Sequence, residues 1–435
     1  MKDNRRKFIK KATGAAIAMM AAPYIIPGSA LGKNGAIAPS NRIVMGGIGL
    51  GSQGSGNTRG FLSKKEVQYV AICDVDRIHR EKAASMINYR YKNQDCRTYT
   101  DFREFLEKEK LDAVTLALPD HWHAIISVAA ADKGLDIYGE KPLARSIKEA
   151  RAIANAVEKN KVIWQTGSWQ RSVENFHKGA ELVINGRIGK VSHVEVGLPN
   201  GRRPIGTPPI MDVPEELDWD MWLGPAPTAP FRGVSHWDWR WIMDYSGGQL
   251  TDWAGHHIDI AHWGLGYDRT GPISVEGEGV YPREGIFDVP VEYDFTCKYK
   301  TGVTMRVANS RRQPHGMGTA WYGDKGWLHV DRGDVIKASD PKILEEVIGP
   351  EETRLYKSTD HIQNFLDCIK SREETITPAE IALRSISVGL LGEIAMITGK
   401  KLAWDPEKEE FTNNRYANRM LMRPYRGPWK LDINA

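Results

Sequence analysis

The stretch "TDWAGHHIDIAHW", Thr251 to Trp263, sets Asp252, His256, His257 and Asp259 within eight residues. Carboxylates and imidazoles this close together can hold a metal, relay a proton, or form a polar seam on a buried helix. On an α-helix residues four apart share a face, so Asp252 and His256 point together while His257 points elsewhere. An imidazole can titrate near neutral pH and accept a hydroxyl proton, and an aspartate can orient it or bind the hydroxyl. Two adjacent histidines cannot easily aim at one ion from one helix, and no third ligand stands nearby, so no metal is expected. The proton relay is the preferred reading.

A second group lies near the start. "GIGLGSQG" carries Gly49, Gly51 and Gly54 as G-x-G-x-x-G, with Leu50 and Ser52 between them, directly after the apolar run "RIVMGGIG". Glycines at a strand-to-helix turn let the backbone turn tightly and approach a pyrophosphate at the helix N-terminus. Asp74 follows at the end of "VQYVAICD", twenty residues after Gly54, where a carboxylate accepts the adenosine ribose hydroxyls. Together they predict a dinucleotide site. Asp74 would repel a 2′-phosphate, which favours NAD over NADP, although Arg77 three residues on leaves NADP possible.

Two further strand ends bear on the chemistry. "LPDHWHA" supplies Pro119, His121 and His123, and "YGEKPLA" supplies Glu140 and Lys141. Ligands of open parallel sheets sit beyond the carboxyl ends of strands. An ammonium there can donate to an oxygen that develops charge as hydride leaves its carbon. The plain alternative is a surface lysine paired with Glu140.

These residues need positioning elements. The runs 42–49, 67–74, 112–119 and 135–142 read as strands, and 77–92, 100–109, 122–134 and 146–160 as helices, the last with Ser146 and Glu149 at capping-box spacing. This alternation predicts an α/β fold, a parallel sheet covered on both faces, over 41–164. From 165 to 435 an α+β domain is expected, with a large, mostly antiparallel, open-faced sheet and C-terminal helices packing back on the body. Its strands include "GKVSHVEVGLP", "VPVEYDFTCKYK", "GVTMRVANS" and "GWLHVDRGD", joined in part by the turns "YKTGV" and "YGDKGW". The segment 200–245, rich in Pro, Gly and Trp, reads as an irregular excursion over the cleft.

Trp219, Trp222, Trp237, Trp239, Trp241, Trp253 and Trp263 fall in that region or just after it. Indole faces suit the C–H faces of sugar rings, although packing under a loop explains any one of them equally well. Trp169 and Arg171 in "QTGSWQR" are expected near the cleft as substrate-binding residues.

The 435 residues carry a net charge of +4, but residues 1–11 hold six Lys/Arg and one acid; without their +5 the body is at −1. It offers no basic excess to nucleic acid. Arg5 and Arg6 before Phe8 and Ile9, then "ATGAAIAMMAA" and small residues near Ala30, resemble a twin-arginine (Tat) export signal over 1–30. That route implies the Tat machinery as a partner, a periplasmic location, and folding around a cofactor before export. The four scattered cysteines form no Cys-x-x-Cys pair and leave disulfides open.

In their order, "GIGLGSQG", "AICDVD", "LPDHWHA", "GEKPLA", "QTGSWQR" and "GGQLTDWAGHHID" resemble the Gfo/Idh/MocA family, the glucose–fructose oxidoreductase and inositol dehydrogenase relatives. The resemblance implies an N-terminal Rossmann domain and a catalytic trio of Lys141, Asp252 and His256, with Asp259 matching the following Ile-Asp. It implies an NAD(P)-dependent oxidoreductase that moves hydride to or from a secondary alcohol of a sugar, polyol or glycoside, with tightly bound cofactor. The cofactor contacts expected are Gly49, Leu50, Gly51, Ser52, Gly54, Asp74, Pro119, His123, Glu140 and Lys141; the substrate contacts are Trp169, Arg171, Asp252 and His256. Some relatives use transient oxidation for net glycoside hydrolysis, and a non-catalytic sugar-binding protein is a third alternative. An open sheet face is a ready surface for a homo-oligomer.

Overall fold

The computed structural model describes residues 38, 41–234 and 236–432; the expected export signal lies outside them. In the first half, β1 (Ile43–Ile48), α1 (Ser52–Leu62), β2 (Val67–Cys73), α2 (Arg77–Tyr91), β3 (Arg97–Tyr99), α3 (Phe102–Lys108) and β4 (Ala113–Leu116) follow in turn. Then come α4 (His123–Asp132), β5 (Asp136–Gly139), α5 (Ile147–Asn160) and β6 (Trp164–Thr166). The strands form one parallel sheet ordered β3-β2-β1-β4-β5-β6, so chain direction across the sheet reverses between β1 and β4. That reversal opens a crevice at the strand ends. The sixth strand runs two residues past position 164.

Local chemistry starts and stops these elements. Asp76 caps α2 by accepting from the backbone N–H groups of Ile78 and His79, and Ser146 caps α5 by accepting from Glu149 N–H. Both helices end on a left-handed lysine, Lys92 and Lys161. The short β3 and β6 carry too few residues to show a periodic pattern of their own.

In the second half, α6 (Glu174–Ile184) leads to β7 (Val191–Leu198), and the chain then leaves the sheet for the excursion. This contains the short α7 (Trp219–Leu223) and returns through α8 (Gly248–Trp253), a π-helical turn at Ala254–Ile258, and α9 (Asp259–Leu265). β8 (Ser274–Val280), β9 (Glu292–Lys298), β10 (Thr304–Asn309), β11 (Gly318–Gly323), β12 (Gly326–Asp331) and β13 (Val335–Ala338) follow. α10 (His361–Ser371), α11 (Ala379–Thr398), β14 (Leu402–Asp405), β15 (Glu410–Phe411) and α12 (Arg415–Arg419) complete the chain. The nine strands lie in the order β13-β12-β11-β7-β10-β9-β8-β14-β15, antiparallel except for β7 with β10. The sheet is thus mixed, as expected of a mostly antiparallel one with a long crossover after β7.

Tyr293, Phe295 and Cys297 of β9 point inward under α11, while Asp294, Thr296 and Lys298 face the open side. α11 is apolar and long enough to cross a membrane, yet 78% of its apolar window is buried inside the protein, as befits a core helix. α10 returns to the first domain, where Phe365 meets Phe61 and Tyr138 edge-on. Cys73, Cys96, Cys297 and Cys368 are all free.

One buried ion pair ties the two halves. Arg145, just after the lysine strand end, donates from Nη1 and Nη2 to Glu393 of α11 at 2.7 and 3.0 Å, with both side chains 6% exposed. Removing one partner strands a charge in a medium that cannot solvate it. Glu393→Gln is therefore expected to lower unfolding free energy by about 3–5 kcal/mol in urea titrations. The double replacement Arg145→Met with Glu393→Leu should recover most of that loss; equal losses in both variants would show that the charge pair is not the cause.

Candidate functional site

The crevice beyond β1, β2, β4 and β5 is a cleft of about 1100 Å3. Gly49 takes φ +81°, and a Cβ there would meet the Ala117 carbonyl oxygen at 2.3 Å. A Cβ at Gly54 would strike the Gly49 oxygen at 1.9 Å, so this position lets α1 sit tight on the turn. At Gly51 the nearest atom is His79 Cε1 at 3.9 Å, which leaves the open approach a phosphate needs. No side chain caps α1, so its first N–H groups are available to an anion.

Gly49, Gly51, Ser52, Gly54, Asp74, Pro119, Glu140, Lys141 and Asp252 line this one cleft. Leu50 contributes differently: its side chain is buried, and its N–H donates to Asp74 Oδ2 at 2.5 Å. Asp74 Oδ1 also accepts from Asp76 N–H, at 2.9 Å, which fixes the carboxylate. Arg77 turns away to Glu81 at 3.0 Å. Asp76, His79 and His236 bring one ligand atom each within 4.8 Å of one another beside the Asp74 end; this is a triad that could hold a cation, away from the Asp252–His257 cluster.

Two expected contacts are corrected. His123 is 4% exposed and does not line the cleft; its Nε2 is 2.9 Å from the Leu118 carbonyl, so the ring braces the loop it starts from. Arg171 is no substrate ligand. It is 1% exposed, and its guanidinium is consumed by Asp259 (2.7 and 2.9 Å) and Asp268 (2.9 and 2.7 Å). Asp259 is accordingly half of a structural clamp. Glu140 lines the cleft and also braces it, accepting from Gln53 Nε2 and Asn57 Nδ2 of α1 at 3.1 and 3.0 Å; burial raises its carboxyl pKa.

Of the three residues expected to be catalytic, Lys141 and Asp252 meet, while His256 is buried beside Trp253 and Trp169 and does not line the cleft. Lys141 Nζ donates to Asp252 Oδ1 at 2.7 Å, and the two side chains remain 18% and 20% exposed. Lys141 therefore pairs with Asp252, not with Glu140. The turn carrying His256 is π-helical, not α-helical, a widening that often marks functional sites. Ser168 Oγ donates to the Gly255 carbonyl at 2.6 Å and Thr319 Oγ1 to that of His257 at 2.7 Å, which pins the turn. His256 lies edge-on to Trp253 and Trp169, with ring centroids 5.5 and 6.5 Å away. Asp252 does not orient it: His256 Nδ1 is sealed without a partner. Burial, then Lys141, then Arg332, hold its pKa well below the ordinary 6.5, so the ring is a neutral acceptor near pH 7 and not a group titrating there. His257 turns the other way, stacked on Trp253 with Nδ1 3.3 Å from Gln170 Nε2.

The tryptophans divide. Trp219, Trp222 and Trp239 pack with Phe231 and Tyr245 in a core of their own, and Trp241 and Trp263 are buried as well. Trp169 (40% exposed), half-buried Trp253 and Trp237 are left to meet a ligand. Arg332, on the β12–β13 turn, had no signal in the sequence. Its Cζ stands 4.2 Å from the Trp253 centroid and 4.7 Å from that of Trp169.

The excursion forms the far wall of the cleft with Leu217, Met221, Trp222, His236, Trp239 and Arg240. Backbone hydrogen bonds stitch it down: Arg77 N–H to the Glu216 carbonyl at 2.8 Å, Asp218 N–H to Val75 at 3.1 Å, and His121 N–H to Tyr245 at 3.2 Å.

Two family models match the chain: "Oxidoreductase family, NAD-binding Rossmann fold" over residues 42–168 and "Oxidoreductase family, C-terminal alpha/beta domain" over 205–431. Among curated proteins, it is 24% identical over 316 residues to scyllo-inositol 2-dehydrogenase (NAD(+)) of Bacillus subtilis (strain 168), covering 70% of this chain and 81% of that protein. It is 29% identical over 213 residues to an alpha-N-acetylgalactosaminidase of Shewanella oneidensis, covering 44% of this chain and 45% of the relative. Among solved structures, WlbA dehydrogenase from Bordetella pertussis in complex with NADH and UDP-GlcNAcA superposes with TM-score 0.63 at 16% identity, covering 84% of this chain and 99% of that one. Aldose-aldose oxidoreductase from Caulobacter crescentus gives TM-score 0.59 at 17% identity, covering 83% and 99%. These structural likenesses are in fold.

The buried imidazoles also set acid stability. Burial lowers His121 and His257 to about 3 and His262 and His361 to about 4. In the unfolded chain each returns to about 6.5. Below that value the unfolded state binds more protons, so stability is complete above pH 6.5 and falls as pH drops toward 4. The urea midpoint should be flat from pH 8 to 7 and then decline, by up to ~1.4 kcal/mol per pH unit for each histidine. A midpoint that rises on acidification would contradict this account.

Proposed function

Because the chain belongs to the Gfo/Idh/MocA oxidoreductase family, we propose that it oxidises a secondary alcohol of a sugar, polyol or glycoside with NAD held in the glycine-turn cleft. The observation that carries the reading is the Lys141 Nζ to Asp252 Oδ1 contact of 2.7 Å on the wall of the glycine-turn cleft, with Lys141 near enough to the buried His256 to act on its charge. NAD supplies the hydride acceptor when bound. The residues fit it: a positive-φ Gly49, an open Gly51, and an anchored Asp74 carboxylate that suits ribose hydroxyls and disfavours a 2′-phosphate.

In this mechanism the chain's own groups divide the work. His256, kept neutral by burial and by neighbouring cations, takes the hydroxyl proton at its ring nitrogen. The Lys141 ammonium donates to the same oxygen as the C–H bond breaks and the carbonyl forms. Asp252 holds that ammonium in place. Trp169 and Trp253 offer apolar faces to the sugar ring.

The excursion, whose backbone is bonded to the first domain at Val75 and Arg77, supports the reading of a retained cofactor. A bound dinucleotide reduced and reoxidised within one cycle suits a protein exported by the twin-arginine route to the periplasm, the destination we assign from residues 1–30. The open sheet face would join copies into a homo-oligomer. The likeness to an alpha-N-acetylgalactosaminidase over about half of each chain favours one second reading, transient oxidation with net hydrolysis.

Purified protein should release NAD on denaturation. Lys141→Ala should keep the dinucleotide and lose turnover by at least about 100-fold, read by mass spectrometry of sugar and glycoside products two hydrogens lighter. Undiminished turnover would remove the lysine from the mechanism; release of an aryl alcohol from an aryl glycoside without net NADH would select hydrolysis. Replacing Arg5 and Arg6 together by lysine should retain the precursor in the cytoplasm, seen by cell fractionation; unchanged periplasmic yield would refute the export route.

A further inference from the structure

Arginines withdrawn from solvent in this protein come with carboxylates. Arg145 has Glu393, Arg171 has Asp259 and Asp268, and Arg151 has Glu380 and Glu409. Among the described residues, two half-buried arginines in functional positions have no ion pair: Arg240, on the excursion wall of the cleft against Trp237 and Trp239, and Arg332, beside the rings that flank His256. Arg332 donates from Nε to Gln170 Oε1 at 3.0 Å, and among the described residues neither Nη1 nor Nη2 has a hydrogen-bond or ion-pair partner. Asp331, next in sequence, accepts the Arg332 backbone N–H at 2.7 Å, and it and Asp252 act on the guanidinium through space without forming an ion pair with it.

The guanidinium is also held still. Its plane lies over Trp169 and Trp253, the two indoles that flank His256, and Nε is anchored. With the His256 ring 5.5 Å and the Arg332 carbon 4.2 Å from the Trp253 centroid, the two are no more than about 10 Å apart. One sugar ring spans such a gap. A planar fork with two free edge donors matches a carboxylate bidentately, and partial desolvation strengthens the match.

We propose that Arg332 is the specificity-determining residue of this site and binds a carboxylate on the substrate, so that the alcohol oxidised belongs to a sugar acid. The inference rests on the proposed function for the position of the reacting alcohol. The charge balance supports it. Lys141 is paired with Asp252 and His256 is neutral, while Arg332, beside the indoles that flank His256, has Asp331 and Asp252 acting on it only through space and, among the described residues, no ion pair of its own. A neutral sugar would leave Nη1 and Nη2 without a directly bonded carboxylate, while a carboxylate on the substrate would supply one.

The test compares D-glucuronate, D-galacturonate and D-gluconate with D-glucose, D-galactose and D-sorbitol on the full-length protein with its dinucleotide, reading binding by tryptophan fluorescence. At least one acid should bind about 10- to 100-fold tighter than its neutral counterpart, the range expected of a charge-assisted hydrogen-bonded pair. Arg332→Gln should erase that preference, Arg332→Lys should keep part of it, and binding of the neutral member should hardly change. For any acid that turns over, Arg332→Gln should raise KM much more than it lowers kcat. Equal binding of every pair, absence of binding by every acid, or an acid preference that survives Arg332→Gln would each overturn the proposal. The binding preference does not require hydride transfer, so failure of the redox reading, seen as no product two hydrogens lighter from any sugar or glycoside, is a separate result.

Discussion

The 2.7 Å contact between Lys141 and Asp252 is made by residues from different halves of the chain, and the rest of the site depends on it. Lys141 is set by β5 and by Glu140, which the glycine-turn helix grips through Gln53 and Asn57. Asp252 is set by α8 and by the π-helical turn after it, itself held by Ser168, Thr319 and, one element further, the Arg171 clamp on Asp259. An ion pair with both partners about one-fifth exposed contributes little to stability. Its value is positional: the ammonium is kept at the mouth of the dinucleotide cleft and prevented from relaxing toward water. The costly, fully buried pairs at Arg145 and Arg171 stand behind it as supports.

The electrostatics of His256 follow from the same enclosure. An imidazole beside one ammonium and one guanidinium, sealed from water, cannot afford a charge of its own, so it waits as an acceptor. Asp252 is committed to Lys141 and is no partner for the ring, so in the proposed reaction the ring holds the proton against the neighbouring cations only transiently. The developing substrate oxygen is meanwhile met by Lys141. The arrangement suits the proposed hydride transfer, in which the hydroxyl proton passes to the ring and the O–H electrons, steadied by Lys141, form the carbonyl as the C–H pair leaves as hydride. The sealed Nδ1 means that packing between Trp169 and Trp253, not a carboxylate, holds the ring's orientation.

Much of this was legible in the residues alone. β-branched runs and capping signals announced the parallel sheet, and the glycines with Asp74 located the dinucleotide end, because backbone turns and strand ends are local events. The strands β3 and β6 were not legible, since three residues carry no period. Arg171 next to Trp169 suggested one shared role, yet the 3₁₀ turn carrying both sends the indole outward and the guanidinium inward, to partners 88 and 97 positions away. His123 misled for the same reason: a strand-end histidine has two directions to face. Arg332 was silent because its meaning comes from Trp169, Trp253 and Gln170, all on other elements. Side-chain direction at a turn is decided by tertiary partners, which a linear pattern does not contain.

The excursion links architecture to the way the cofactor is used. It rises from β7, crosses the cleft, and pairs with the loop after β2 through Val75, Asp76 and Arg77, the residues that follow the ribose carboxylate. His236 reaches the same loop, 2.8 Å from Asp76 Oδ2, and Trp222 accepts from both His121 and Trp122. The proposed retention of the dinucleotide rests on this wall, whose backbone bonds and tryptophan core hold the excursion against the loop after β2. On the proposed reading of a retained cofactor, the electrons taken from one alcohol return to a second carbonyl that enters by the substrate side. The same cover that protects the cofactor therefore requires a substrate pocket open enough to admit two partners in turn, consistent with exposed Trp169 at its rim.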